Sequence, residues 1–190
     1  MAEVKLAVRT GLGREQPLAE EWPGFSMREI TGLSVWWLSV ARKDRDGLDK
    51  ACTRHLGTAL PPERRFVETD KGMRVLWAGD RQWFVIGDGA HIPAAIARLA
   101  AVTDQSDGWV AMHVSGERTR AVMERLCLVD LDPATFPTGT VARTPIEGMH
   151  ALIASDDAEA AACTILFQRS SARSFVDHFR HAADSACGRD

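Results

Sequence analysis

Three groups of residues have types and spacing that could do chemistry. Gly87-Asp88-Gly89, followed by Ile92, comes after an apolar run and before a helical pattern. A dinucleotide loop would sit there, with its backbone N–H groups against a phosphate. But Ile92 stands where that motif has its third small residue, and the preceding run closes a hairpin instead of opening a βαβ unit. A strand-to-helix turn is the better reading. His178 and His181 are three residues apart on a helical pattern and could form half of a metal site. No third ligand cluster accompanies them and Arg180 beside them repels a cation, so they read as surface histidines. Asp104, Asp107 and Glu117 bracket an apolar strand around Trp109, where they could act as a general-base pair or bind an amine. Turn and capping duty explains them as well, since an acid in a first helical turn suits the helix dipole. His113 alternates with Val114 on that strand and reads as a hydrogen-bonded core histidine.

Other reactive arrangements are missing. No G-x-S-x-G elbow sets up a nucleophilic serine. Cys52, Cys127, Cys163 and Cys187 form no C-x-x-C pair, and none has the positive, exposed setting of a reactive thiolate. Free thiols in a reducing cytosol are expected. The basic residues Arg42, Lys43, Arg45, Arg64, Arg65, Arg118, Arg120 and Arg125 are scattered among acids and read as solvated faces. A net charge of -3 leaves no surplus to neutralise phosphates, which argues against nucleic-acid binding. No run approaches the ~20 apolar residues of a membrane span, and MAEVKLAVRTG has no signal-peptide core, so a cytoplasmic protein is expected. The residues themselves assign no catalytic, cofactor-binding or metal-ligating position.

The elements that would position any site can be read from hydrophobic period. The chain has 190 residues, 45% apolar and 26% charged, enough to bury a core without staples. The central stretch is Arg74 to Gly87, with runs Val75–Trp77 and Trp83–Ile86 joined by Ala78-Gly79-Asp80-Arg81-Gln82 as a hairpin. Both runs are too apolar to leave one face in water, so the hairpin belongs inside a sheet covered by helices. Six tryptophans and no tyrosine occur, and the adjacent Trp36 and Trp37 must point to opposite, covered faces of a strand.

In chain order, Val4 to Val8 reads as a short strand and the following stretch to Gly24 as an irregular arm. A strand pair is expected at Met27–Thr31 and Ser34–Val40, turning at Gly32. A helix capped by Asp44 or Asp46 carries Leu48, Ala51, Cys52, His55 and Leu56 on one face. Pro61-Pro62 enforces an extended connection before the hairpin. A helix with Ile92, Ile96, Leu99 and Val102 follows, then a polar turn at 104–108. Next come a strand at Trp109–Val114 and a helix with Thr119, Val122, Met123 and Leu126 on one stripe. Strands at Val141–Ile146, Ala151–Ala154 and Cys163–Gln168 lead to a final helix bearing Ala172, Phe175, Val176, Phe179, Ala182 and Ala183.

Segments 34–102 and 109–186 both read strand, helix, strand, strand, helix, with one extra strand in the second. The expected class is α+β: two packed βαββα(β) ferredoxin-like halves, antiparallel sheets with helices on one face. The boundaries are an N-terminal arm (1–25), a first half (26–103) and a second half (104–190), together one unit.

A family resemblance adds to this. Trp77-Ala78-Gly79, three residues, then Trp83-Phe84-Val85 resembles the tryptophan-flanked hairpin of gamma subunits of heterotetrameric sarcosine oxidases. Asp104-Gln105-Ser106 resembles their D-x-S turn, and Val114-Ser115-Gly116 their strand-ending S-G. Cys127-x-x-Asp130-Leu131, Phe136-x-x-Gly139, Arg143-Thr144, and Arg169-Ser170 with Ala172 and Phe175 follow in the family's order. The likeness spans roughly 70–180; the family's Gly-Pro hairpin loop is replaced by Asp80, Arg81 and Gln82.

The resemblance implies a folate-binding-domain-like fold, similar to aminomethyltransferases. It implies a non-catalytic structural subunit of a complex that demethylates sarcosine to glycine, passing the one-carbon unit to tetrahydrofolate. FAD, FMN, NAD, tetrahydrofolate and zinc are expected on the alpha, beta and delta partner subunits, and no cofactor in this chain. Partner contacts would run through Trp22, Trp36 and the N-terminal arm, and the isolated chain would expose apolar patches or self-associate. The rival expectation is a free-standing folate- or small-molecule-binding module. Its pocket would lie between the halves, with Asp104 or Glu117 contacting the pterin.

Overall fold

The computed structural model describes residues 9–41, 44–157 and 161–188. Eleven strands and four helices are found among them. They are β1 (Ala19–Trp22), β2 (Phe25–Ile30), β3 (Leu33–Ser39), α1 (Arg45–Leu56), β4 (Phe66–Glu68), β5 (Arg74–Gly79), β6 (Gln82–Asp88) and α2 (Ala94–Ala97). Then follow β7 (Ala101–Asp104), β8 (Trp109–Ser115), α3 (Thr119–Met123), β9 (Val141–Ile146), β10 (Met149–Ser155), β11 (Ala162–Gln168) and α4 (Ala172–Cys187). The α+β class holds: both sheets are antiparallel, one ordered β4-β5-β6-β3-β7 and the other β1-β2-β8-β11-β10-β9.

Alternation along the strands stacks these elements into four layers, helix–sheet–sheet–helix. Leu38, Val75, Trp83 and Val85 face Leu48, Cys52 and Leu56 of α1 and Ile96 of α2. Residues on the opposite face of the same strands, Val35, Leu76, Phe84 and Ile86, meet Ala111, Leu152, Ala154 and Leu166 of the other sheet. That sheet's outer face carries Met112, Val114, Ile153, Ile165 and Phe167 against α3 and α4. Each sheet is therefore apolar on both sides. Trp36 and Trp37 follow the same rule, one packed towards the helices and one towards the partner sheet.

The final helix matches its pattern in full: Ala172, Phe175, Val176, Phe179, Ala182 and Ala183 are all buried. Phe175 stacks on Phe167 with ring centroids 3.7 Å apart. The two sheets are joined along one side by backbone bonds, Phe66 N to the Gly139 carbonyl (2.9 Å) and Val141 N to the Arg64 carbonyl (2.9 Å).

Three expectations need correction, and a fourth falls outside what the structure describes. Val4–Val8 lies outside the described residues. The arm is not irregular throughout: Ala19–Trp22 pairs with β2, and Leu18 and Trp22 are buried in the core under α4. Glu29, itself buried, accepts from the backbone N–H groups of Leu12 (2.9 Å) and Leu18 (3.1 Å) and so anchors this loop. The strands at 27–31 and 34–40 are not a pair; β2 joins β8 while β3 lies between β6 and β7 in the other sheet. The helix expected through Val102 is one turn, Ala94–Ala97. Val102 sits on β7, where its backbone completes the edge of β3.

Candidate binding site

The two ends of the inter-sheet layer differ in chemistry. At one end, β5 brings Arg74 inward, β8 His113 and β11 Thr164, while Asp156 follows β10 directly. Arg74 Nη1 donates to Asp156 Oδ1 (2.7 Å) and to Thr164 Oγ1 (3.1 Å); Thr164 Oγ1 donates to Asp156 Oδ2 (2.7 Å). His113 Nδ1 lies 3.3 Å from that same Oδ2, and Arg74 Nε reaches Glu68 at 3.1 Å. Burial pushes the Asp156 carboxyl up, but hydrogen bonds from His113 and Thr164 and the Arg74 charge outweigh it and hold it below the usual carboxylate value. This cluster is closed upon itself. Its partners tie one sheet to the other, and His113 is a half-buried member of it at the rim instead of a core residue.

The opposite end holds a slot of about 170 Å³ lined by Trp37, Ala78, Gln82, Phe84, Gln105, Trp109 and Arg143. Phe84 and Trp109 meet edge to face with centroids 5.1 Å apart. Strand alternation explains the set: Trp37, Phe84 and Trp109 all face the inter-sheet layer on their respective strands. Arg143, on β9, is paired across from Leu152, whose side chain faces the same layer. Its guanidinium donates to the Ala78 carbonyl (3.1 Å), and among the described residues no carboxylate pairs with it. The carboxamides of Gln82 and Gln105 likewise have no hydrogen-bond partner among them. Such a slot can grip a flat ring between aromatic walls and offer polar donors at its mouth.

A larger, shallower cleft of about 360 Å³ lies beside it, reached past Trp109 and rimmed by Arg9, Glu15, Asp107 and Arg169. Its charges are matched: Arg9 with Glu15 (3.0 Å) and Arg169 with Asp107 (3.7 Å).

The residues singled out by type occupy other places. Asp104 accepts from Ser106 N (2.9 Å) and Oγ (2.6 Å), bonds that lower its pKa, while the Ser106 hydroxyl accepts from Val35 N (3.0 Å). The D-x-S turn thus pins β7 to β3. Glu117 is exposed beside Gly24 at the far end of β8, on the order of 20 Å from Asp104 by strand rise. The two carboxylates do not converge, and neither lines the slot. Gly89 takes a positive φ of 56° in the turn after β6, which accounts for the glycine there. His178 and His181 are exposed on α4, and no group of three or more His, Cys, Asp or Glu able to hold a metal occurs among the described residues.

All four cysteines are free. Burial pushes the Cys52 and Cys163 thiols up to about 12, and Cys127 and Cys187 also upward, away from thiolate chemistry. Arg42 and Lys43 lie outside the described residues. No helix of the described residues is long and apolar enough to cross a membrane.

Residue types alone pass over Arg74, Asp156 and Arg143. The available signal for Arg143 is a lone cation on an alternating strand, Val141-Ala142-Arg143-Thr144. What marks it out is the lack of a carboxylate beside it, and that exists only in three dimensions.

No protein-family model matches the chain, and a search of curated proteins gives no match. Solved structures do match. The fold is similar to a chain of the heterotetrameric sarcosine oxidase from Corynebacterium sp. U-96, solved in complex with pyrrole 2-carboxylate. The TM-score there is 0.74 at 18% identity, covering 90% of this chain and 89% of the other. It is also similar to the glycine cleavage system aminomethyltransferase T from Bartonella henselae, with a TM-score of 0.54 at 10% identity, covering 87% of this chain. The chain spans 50% of that aminomethyltransferase. The architecture is thus one shared by a sarcosine oxidase chain and by part of an aminomethyltransferase.

Proposed function

We propose that this chain is a non-catalytic, structural subunit, of gamma type, in a sarcosine-oxidase-type assembly. The observation that carries the reading is the end-to-end match with one chain of a heterotetrameric oxidase, against half of an aminomethyltransferase. The flavins, NAD, tetrahydrofolate and zinc of such an assembly belong to partner alpha, beta and delta subunits. We place the contact surface away from Trp22 and Trp36. Trp22 is buried in the chain's own core, and Trp36 is half-buried with its indole N–H donating to the Ala90 carbonyl (2.6 Å). Leu128, 98% exposed, is the outstanding apolar side chain, next to a cleft lined by Arg64, Trp77, Val129 and Arg143. An exposed leucine beside a half-buried tryptophan suits the anchor of a subunit interface. Co-expression with flavin-bearing subunits tests this: the chain should co-purify stoichiometrically, and Leu128→Glu should release it. Sarcosine turnover by the chain alone, or its failure to bind any such subunit, sinks the reading.

The aromatic slot favours a second reading, a free-standing module that binds folate or another small molecule. Titration of the isolated chain with tetrahydrofolate, followed by tryptophan fluorescence, separates the two: saturable quenching supports the module, and a flat response removes folate from it.

A further inference from the structure

We infer that the slot between the sheets is a binding site for a single-ring aromatic carboxylate. This rests on the second reading, that the slot takes a small molecule, and narrows its ligand. Size comes first: a cavity of about 150 Å³ holds one benzene ring, and the slot measures about 170 Å³. Its volume matches one ring with a small substituent.

Shape comes second. Trp37, Phe84 and Trp109 supply three aromatic walls, and Trp37 and Trp109 are half-buried, leaving ring surface open to the slot. Flat faces select a flat guest over a puckered one of equal carbon count.

Charge comes third. Arg143 is the one ionisable residue in the lining, it is exposed, and its known contact is the neutral Ala78 carbonyl. A guanidinium retains donors beyond that bond, disposed as a fork that a carboxylate matches. Gln82 and Gln105 add amide groups with no partner among the described residues, suited to a ring heteroatom or a second carboxylate oxygen. At the other end of the layer and in the neighbouring cleft, by contrast, Arg74, Arg9 and Arg169 already face carboxylates. No acidic residue lines the slot to repel an anion.

The test is a titration of the full chain, monitored by the indole N–H resonances of Trp37 and Trp109. Benzoate and nicotinate are the probes; nicotinamide (no charge), cyclohexanecarboxylate (no flat ring) and tetrahydrofolate (fused ring with a tail) are the comparisons. Benzoate or nicotinate should shift both indoles saturably and bind at least tenfold tighter than nicotinamide or cyclohexanecarboxylate. Arg143→Gln should weaken binding at least tenfold, with Arg143→Lys between, while Arg173→Gln on the exposed face of α4 should leave it unchanged. Thermal melting of each variant verifies folding. Equal binding of the charged and uncharged rings, or full affinity in Arg143→Gln, overturns the inference. Binding of tetrahydrofolate without the single-ring acids overturns it while leaving the second reading standing. A silent titration with every compound removes both.

Discussion

The two ends of the inter-sheet layer share strands β5 and β8, yet handle charge in opposite ways. At the Asp156 end the cation Arg74 is matched by two carboxylates, Asp156 and Glu68. At the slot end the cation Arg143 is left with a backbone carbonyl. A matched set of charges serves cohesion, because the cation already faces carboxylates. A cation beside aromatic walls with no carboxylate is the arrangement a ligand can complete. The difference separates structural polarity from recognition within one layer, without reference to residue type.

Variants can break this contrast, and the largest effect belongs to the closed end. Asp156→Ala leaves Arg74 three-quarters buried without its main carboxylate and should cost about 3 kcal/mol, read by urea denaturation. A loss below ~1 kcal/mol would mean that the cluster contributes little to holding the sheets together.

Next in size is Gly116→Ala, at the S-G motif where β8 ends. Gly116 has φ 124°, and a Cβ there would collide with the Gly24 carbonyl. A destabilisation of about 2 kcal/mol or more is expected in the same assay.

The pH response sharpens the comparison further. The folded Asp156 pKa is depressed, so its stabilisation is present above the unfolded value of about 3.9 and is lost as pH falls through the folded one. The stability gap between wild type and Asp156→Asn should therefore be constant from about pH 5 to 7 and shrink below about pH 4. An unchanging gap down to pH 2 would show that the cluster does not depend on ionised Asp156. The smallest effect belongs to the open end. Arg143→Gln should change stability by less than about 0.5 kcal/mol, since it removes one half-solvated hydrogen bond. A cost comparable to Asp156→Ala would mean that both ends are structural.

Much of the layering was legible in the sequence, and the reason is burial. β9 has the bounds Val141–Ile146 that alternation predicts, and all six apolar positions of α4 are buried. Where a face must be covered, the period of the side chains is enough. Partner choice was not legible. Met27–Thr31, Gly32 and Ser34–Val40 have the look of a hairpin, but alternation does not say which strand lies alongside which. Val102 reads as the end of a helical stripe, and pairing with the free edge of β3 puts it on a strand instead. The slot was illegible for a related reason. Trp37, Phe84, Gln105, Trp109 and Arg143 come from separate strands and a turn, and each looks ordinary in its own neighbourhood.

The crossing from β2 to β3 has a consequence for how the chain is made. Ile30 finds its neighbour Ala111 some eighty positions later, and Trp22 bonds to Asp184 across a separation of 162. At roughly 5–20 residues per second of synthesis, the first two strands wait about 4–16 s for β8 to be built. Through that interval β2 lacks its neighbour β8, and Trp22, Phe25 and Met27 lack the core that covers them, while β3 to β7 are already able to assemble. Slowing or chaperoning the nascent polypeptide near the ribosome exit should therefore govern yield more than the strength of any single contact in the finished molecule.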